Sequence, residues 1–237
     1  MKLETGDFAT VIGGNGAGKS TLLNSIAGVF PVDEGQIIID DHDVTKMPEY
    51  KRAAFIGRVF QDPMLGTAGN MQIEENLLLA LRRGKRMGLK WAFVPEERKF
   101  FKERLSLLGL GLEDRLTARM GLLSGGQRQS ITLLMATMLK PELLLLDEHT
   151  AALDPKTAEK VLTLTDQLVK EHNLTTLMIT HNMRDALRFG NRLIMMDNGK
   201  IIYDVKGDEK KNLTVQDLLE RFQVGESGLS DRMMLGS

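Results

Sequence analysis

A glycine-rich segment near the start of the chain, Gly13-Gly-Asn-Gly-Ala-Gly-Lys19-Ser20, restricts the possible folds more than any other feature. It matches the pattern G-x-x-x-x-G-K-[ST] of a phosphate-binding loop, which joins a buried strand to a helix. The apolar run Phe8–Ile12 precedes this loop, and residues 19–27 have the pattern of a helix that ends at Gly28. The segment therefore predicts an α/β fold of the P-loop NTPase kind.

The residues of this loop have separate expected roles. Glycines allow backbone N–H groups to turn toward a phosphate, and the N-terminus of the following helix favours the same anion. Lys19 would reach the β- and γ-phosphates, and the Ser20 hydroxyl would ligate Mg²⁺. The predicted nucleotide-binding residues are Gly13, Gly14, Asn15, Gly16, Ala17, Gly18, Lys19, Ser20 and Thr21. The alternative is a glycine-rich strand–helix turn that binds no ligand.

Composition limits the function classes. The 237 residues suit one large domain or one domain with an inserted subdomain. Lys and Arg number 31 against 32 for Asp and Glu, so the charge balance does not favour duplex nucleic acid, and we expect no nucleic-acid partner. The chain has no cysteine, which excludes disulfides, zinc thiolates and thiol nucleophiles. No apolar run approaches the roughly 18 residues that span a bilayer, so if this protein works at a membrane, other chains must hold it there.

Strand-like and helix-like runs alternate on both sides of a charged segment that has helical periodicity. We expect strands at 8–12, 36–40, 53–60, 143–146, 175–180, 192–197 and 200–204, and helices at 19–27, 74–83, 96–108, 125–139, 155–171, 183–189 and 214–222. This alternation predicts a parallel sheet with a helical insertion. The predicted single domain, 1–237, divides into a RecA-like catalytic core (1–61 and 123–222), a helical subdomain (62–122), a small antiparallel β part and a flexible tail (223–237).

Two adjacent carboxylates follow an all-leucine strand. Residues 143–146 are apolar on every side, as expected for a central parallel strand that is covered on both faces. Asp147 and Glu148 then lie at its carboxyl end, where α/β sheets bind ligands. Asp147 would hold Mg²⁺, and Glu148 would polarise the water that attacks the γ-phosphate. The alternative is an acidic helix cap after a core strand.

The segment Leu123-Ser-Gly-Gly-Gln-Arg-Gln129 begins a second helix with small residues. Together with the phosphate loop and the carboxylate pair, in this order, it resembles the ATP-binding cassette (ABC) family. The resemblance implies that Ser124, Gly125, Gly126 and Gln127 close over ATP that is bound to a partner subunit. Asp154, in Ala152-Leu153-Asp154, is similar to the family's D-loop, which also contributes across the dimer. The alternative is a helix start made flexible by glycine.

The resemblance also implies roles for two residues that carry no signal alone. Gln61 matches the glutamine that contacts Mg²⁺ and the attacking water, and His181 matches the histidine that touches the γ-phosphate. The expected catalytic residues are then Gln61, Glu148 and His181. The expected metal ligands are Ser20, Gln61 and Asp147, and the expected cofactors are ATP and Mg²⁺.

The chain departs from the family pattern at two places. Cassettes usually carry two strands and an adenine-stacking aromatic residue ahead of the phosphate loop, whereas only twelve residues precede Gly13 here. We therefore expect the usual N-terminal strands to be lacking, and we assign no residue to adenine. His149 follows Glu148 where many cassettes have proline, and we expect this difference to be tolerated.

Three functions are compatible with these motifs. The first is the ATP-binding subunit of a bacterial importer, a homodimer or heterodimer held by an integral membrane permease at the cytoplasmic face of the membrane, with a solute-binding protein as an indirect partner. Val59–Glu75 and Glu148–Thr150 are similar to a subgroup associated with amino-acid uptake. The second is the ATPase of a soluble assembly machine, such as one that serves an iron–sulfur scaffold. The third is a nucleotide-binding module without turnover.

Overall fold

The computed structural model describes residues 1–84 and 94–222. The predicted flexible tail, 223–237, lies outside the described residues. Strands are β1 (Phe8–Gly13), β2 (Ile38–Ile39), β3 (His42–Asp43), β4 (Ile56–Val59), β5 (Leu143–Asp147), β6 (Thr176–Ile179), β7 (Arg192–Asp197) and β8 (Lys200–Lys206). Helices are α1 (Lys19–Ala27), α2 (Glu49–Arg52), α3 (Ile73–Leu81), α4 (Pro95–Ser106), α5 (Gly125–Thr137), α6 (Pro155–His172), α7 (Met183–Arg188) and α8 (Asp208–Lys211), with a further helical segment over 215–222.

The main sheet has the strand order β4-β5-β6-β1-β7-β8, in which only the β7–β8 pair is antiparallel. This mostly parallel sheet with helices confirms the predicted α/β P-loop NTPase fold. Asp147 pairs with Ile179, and Ile179 pairs with Val11, so the carboxyl ends of β5, β6 and β1 meet at one edge. Ligands of α/β sheets bind at this kind of edge, which here adjoins the phosphate loop.

The leucines of β5 explain why this strand is central. Leu143 and Leu145 join a buried cluster that includes Leu23 of α1, which lies on one face of the sheet. Leu144 and Leu146 join the opposite cluster, together with residues of α5 and α6. Successive side chains of a strand point to opposite faces, so a strand that is covered on both faces must be apolar throughout.

The β7–β8 hairpin supports the phosphate loop. The predicted Asn198-Gly199 turn has φ values of 46° and 75°, the left-handed conformation that a tight hairpin turn requires. The backbone N–H of Gly199 donates to the Ala17 carbonyl at 3.0 Å, and a Cβ on Gly18 would lie 3.2 Å from Gly199 Cα. The turn is therefore packed against the loop, a contact that the sequence pattern did not predict.

Helix α5 connects the helical segment to the sheet. Its Ile131 and Leu134 share a buried cluster with residues of α3 and α4, including Leu77 and Phe101. Leu133, on another side of α5, packs in the cluster beneath the sheet. Helix α5 therefore packs against both the helical segment and the sheet, and its start carries Ser124, Gly125, Gly126 and Gln127, here called the signature residues.

Short elements were the least predictable. The expected strand at 36–40 is only two residues long, and it pairs with β3, which has no apolar alternation. Helices α2 and α8 span four residues each and were not predicted. Within residues 1–84 and 94–222, no helix combines the length and the apolar character needed to cross a bilayer.

Candidate active site

The phosphate loop is held in a ligand-ready shape by close backbone contacts. A Cβ on Gly13 would lie 2.4 Å from the Met196 carbonyl oxygen, so a larger residue does not fit. Gly16 and Gly18 have φ values of 81° and 91°, which favour glycine. Lys19 is largely buried, and its Nζ donates to the carbonyls of Gly13 (2.7 Å) and Gly14 (3.0 Å). The ammonium group therefore lies over the loop.

Glu148 occupies a strained backbone position immediately after β5. Its φ of 43° lies in the left-handed region, which costs a non-glycine residue on the order of 1 kcal/mol or more. Its N–H donates to the Ile179 carbonyl at 3.1 Å, which continues the β5–β6 pairing past Asp147. The carboxylate lies with Oε2 at 3.5 Å from Nδ1 of His181. The structure thus brings together two of the three predicted catalytic residues.

Asp147 lies at the same edge in a partly buried position. Burial raises the pKa of this carboxyl group, while the neighbouring positive charges of Arg58 and Lys19 act in the opposite direction. Arg58 Nη2 is 3.7 Å from Asp147 Oδ2. A carboxylate in this setting is stabilised by an additional cation.

The predicted metal ligands fit Mg²⁺ by their chemistry. Ser20, Asp147 and Gln61 offer hydroxyl, carboxylate and amide oxygens, and Mg²⁺ prefers oxygen ligands. Among the described residues, no group of three or more His, Cys, Asp or Glu side chains forms a protein-only cage. Sites that bind Mg²⁺ together with nucleotide phosphates use only one or two carboxylates, so this donor set is sufficient.

Gln61 follows β4 and lines a cleft of about 610 Å³ that Asp147 also lines. Arg58 and Phe60 form part of the same wall. The side chain of Gln61 is exposed, so it is free to reorient toward a ligand at the sheet edge. The cleft thus connects the predicted metal carboxylate to the start of the helical segment.

The signature residues form a capped helix start on the surface. Ser124 Oγ accepts from the Gln127 N–H (3.3 Å), and Gln127 Oε1 accepts from the Ser124 N–H (3.2 Å), which is a capping box. Ser124 and Gly125 are exposed, whereas Gly126 is buried. Since the Ser124 oxygen serves as the acceptor, its hydroxyl proton remains available for an anion.

The D-loop packs directly against this helix start. A Cβ on Gly126 would lie 2.1 Å from Thr157 Cγ2, and one on Gly125 would lie 3.3 Å from Leu153 Cδ2. Asp154 caps α6 by accepting from the Thr157 N–H at 3.1 Å, and hydrogen bonding with Thr157 lowers its pKa. All the residues predicted to act across a dimer, Ser124 to Gln127 and Asp154, therefore belong to one packed unit.

Comparison with known proteins identifies the family. The ABC transporter family profile matches residues 1–151. This chain belongs to the ABC transporter family. The tyrosine transport ATP-binding protein of Clostridioides difficile is 49% identical over 94% of this cassette and 88% of the relative. The thiamine import ATP-binding protein of Salmonella choleraesuis is 34% identical over 88% of the cassette and 84% of the relative.

Comparison with a solved structure also identifies the chain as an ATP-binding cassette. A dimeric ATP-binding cassette in a post-hydrolysis state, bound to ADP and Pi, superimposes with a TM-score of 0.73 and 31% identity. The match covers 87% of the present cassette and 88% of the solved chain. With the family profile, this likeness establishes that the cassette is an ATP-binding ATPase.

Two residues of the cassette's site were missed by sequence reasoning. Arg58 lies beside Asp147, and Gln129, which is fully buried in α5, donates from Nε2 to the Phe60 carbonyl at 3.1 Å. Each carried a signal in the sequence. Arg58 is the one charged residue of β4, and Gln129 is a long polar side chain among the residues that α5 buries.

Proposed function

We propose that this cassette is the ATP-hydrolysing subunit of an importer and works as a dimer beneath a separate membrane permease at the cytoplasmic face. One observation carries the proposal: Lys19, Asp147, Glu148 and His181 come together at one edge of the sheet. In this proposal, residues 1–61 and 123–222 form the catalytic core, and residues 62–122 form the helical subdomain that follows the nucleotide state.

The phosphate loop supplies the binding half. Lys19 exchanges its two loop carbonyls for β- and γ-phosphate oxygens, which are stronger acceptors because they are charged. Backbone N–H groups of residues 13–18 and the first turn of α1 complete the cradle. Ser20, Asp147 and Gln61 would hold Mg²⁺, which would neutralise phosphate charge when bound.

The carboxylate edge supplies the catalytic half. Glu148 accepts the proton of the attacking water as a general base. His181, 3.5 Å from the Glu148 carboxylate, orients that carboxylate and lies exposed at the edge where the γ-phosphate is expected. Gln61, which lines the same cleft as Asp147, would position the water. Placement of these groups by the sheet register reduces the entropy cost of reaching the reactive geometry.

The dimer completes the site. Ser124 to Gln127 of each subunit cap the nucleotide of the other, and Asp154 crosses the same interface. Because nucleotide binds the closed pair more tightly than the separated one, it shifts the population toward closure. Hydrolysis removes that preference, and the pair reopens.

The cleft beside Gln61 is the proposed docking place for a permease helix. It is lined by the apolar side chains of Val29 and Leu65, which are 43% and 71% exposed. An amphipathic helix placed in such a groove would cover this apolar surface. Its position next to Asp147 means that closure at the nucleotide reshapes the groove.

The similarity to a tyrosine transport protein supports an amino acid as the solute. The test is affinity purification of the cassette from mild detergent extracts, followed by uptake assays in vesicles that contain the captured complex. We expect a polytopic permease to co-purify and ATP-dependent uptake of labelled tyrosine to follow. A soluble iron–sulfur scaffold without any membrane protein would instead support the assembly-machine alternative and overturn the transport proposal.

A further inference from the structure

Arg58 is a cation that lines the cleft, and none of the roles proposed above involves its side chain. Its side chain is 13% exposed and lies among three groups. Nη2 donates to Asn24 Oδ1 at 2.6 Å and lies 3.7 Å from Asp147 Oδ2. The guanidinium carbon is 4.5 Å from the centroid of the Phe60 ring. Nε is buried and has no hydrogen-bond partner among the described residues.

These distances distinguish two kinds of contact. The 2.6 Å contact with Asn24 is a hydrogen bond, whereas 3.7 Å to Asp147 is too long for one. The interaction with Asp147 is therefore mainly a charge attraction, which requires no fixed geometry. Asn24 and Phe60 hold the guanidinium whether or not Asp147 attracts it.

Asp147 needs such a charge before nucleotide arrives. Its side chain is 19% exposed, and a largely buried carboxylate without a nearby cation is costly. The other cation at this edge, Lys19, is engaged by the carbonyls of Gly13 and Gly14. Arg58, 3.7 Å away, is thus the cation that is placed to balance Asp147.

We propose that Arg58 is a positioning residue that balances the charge of Asp147 while the metal site is empty and releases this carboxylate when Mg²⁺ arrives. The inference rests on the proposed role of Asp147 as a metal ligand. Two cations that share one carboxylate repel each other, so metal binding drives Arg58 toward its remaining partners, Asn24 and Phe60.

This movement of Arg58 would couple the occupancy of the metal site to other parts of the cassette. Phe60 directly precedes Gln61, and its carbonyl accepts the hydrogen bond from Gln129 of the signature helix. A stronger pull of Arg58 on the Phe60 ring therefore acts on the segment that connects the metal site with α5. Packed contacts, rather than a change of fold, transmit the effect.

The test compares nucleotide affinity with and without metal in the full chain. Binding of a fluorescent ATP analogue is measured in excess Mg²⁺ and in EDTA, for the native protein and for Arg58→Met. In EDTA the variant leaves Asp147 uncompensated near the phosphates, whereas in Mg²⁺ the metal compensates it. We expect the ratio of the affinity in Mg²⁺ to the affinity in EDTA to be about fivefold or more higher in Arg58→Met than in the native protein. The reason is that one charge at about 4 Å contributes a significant energy even under water-like screening.

Further variants separate charge from packing. Arg58→Lys keeps the charge and should keep the ratio within about twofold of native. Adding Asp147→Asn to Arg58→Met removes the uncompensated carboxylate and should restore binding in EDTA. Arg104→Met, which removes an arginine from the Phe100 ring of α4, is the matched control and should leave the ratio unchanged. If Arg58→Met does not fold, Arg58→Gln takes its place.

An unchanged ratio in Arg58→Met, with both affinities equally reduced or both intact, would overturn the inference and leave Arg58 a packing residue. This outcome differs from failure of the proposed metal role. If native binding does not respond to Mg²⁺ at all, then Asp147 is not a metal ligand and the proposed site is wrong. A normal native response with an unchanged variant ratio refutes only the role of Arg58.

Discussion

His181 Nδ1 lies 3.5 Å from Glu148 Oε2, and this contact joins the ends of two neighbouring strands. The register places Asp147 opposite Ile179, and the Glu148 N–H donates to the Ile179 carbonyl. The parallel β5–β6 pairing therefore determines the distance between the two side chains. The proposed base and the group proposed to orient it are therefore held at the ends of two buried strands.

Replacing Glu148 with Gln should abolish turnover and preserve nucleotide binding. The amide keeps the shape of the side chain but accepts no proton from water, and a lost general base costs about a hundredfold or more. Phosphate release measures turnover, and gel filtration with ATP should detect stable dimers. Glu171→Gln, on the exposed end of α6, is the matched control. Native-like turnover in Glu148→Gln would remove Glu148 from the catalytic set.

Replacing Ser124 with Arg should separate binding from dimerisation. Ser124 is exposed at the start of α5, so the monomer should bind ATP with nearly native affinity. The bulky cation would block ATP-driven pairing and turnover, and loss of the cap would cost about 1 kcal/mol of stability. Calorimetry on the monomer and light scattering with ATP measure the two effects, and Ser106→Arg, at the end of α4, controls for an added surface charge. Loss of monomer binding would contradict the assignment across the dimer.

Gly126→Ala should destabilise the protein through a clash that is distant in sequence. The new Cβ would lie 2.1 Å from Thr157 Cγ2, and overpacking of this kind costs about 1–3 kcal/mol. Thr157→Ser removes that methyl group, so the double variant should recover most of the loss in a urea unfolding cycle. Gly125→Ala, whose Cβ would meet only the flexible end of Leu153 at 3.3 Å, should cost less. Equal losses in the single and double variants would refute the clash.

Acid should destabilise the protein through His149. This side chain is fully buried, and its burial lowers the pKa from 6.5 to about 4. Thr165 donates its hydroxyl proton to the Val161 carbonyl, so its oxygen accepts from His149 Nε2–H. The lowered pKa keeps this ring neutral at pH 7. Because the unfolded chain binds the proton more readily, the contribution of His149 to the free energy of unfolding is fully present above pH 6.5. This contribution is lost as the pH falls toward 4, by about 3 kcal/mol in all.

His149→Gln removes this titration and can still bond to Thr165. In urea unfolding series at several pH values, the native protein should lose about 3 kcal/mol more than the variant between pH 7 and pH 4. Parallel curves for the two proteins would show that the pKa of His149 in the folded protein is not lowered from its value in the unfolded chain.

Local rules explain which elements were predictable. The helix expected at 19–27 is found at Lys19–Ala27, because Gly18 and Gly28 adopt the left-handed conformation at its two ends. Strand β5 was recognisable because burial on both faces demands an unbroken apolar run. The two exposed residues of β3 and the four residues of α2 are too few to show a period, and they carry no apolar run of the kind that marks the buried strands.

The residue types and their order along the chain were sufficient to identify the phosphate loop, the Asp147-Glu148 pair and the signature segment, because these depend on short-range backbone chemistry. Tertiary structure alone decided that Gly126 must accommodate Thr157, that Arg58 faces Asp147 and that Glu148 takes a left-handed φ beside His181. The physical reason is that each of these relations depends on how separate elements pack and pair. A local sequence pattern does not encode the distance between residues of different elements.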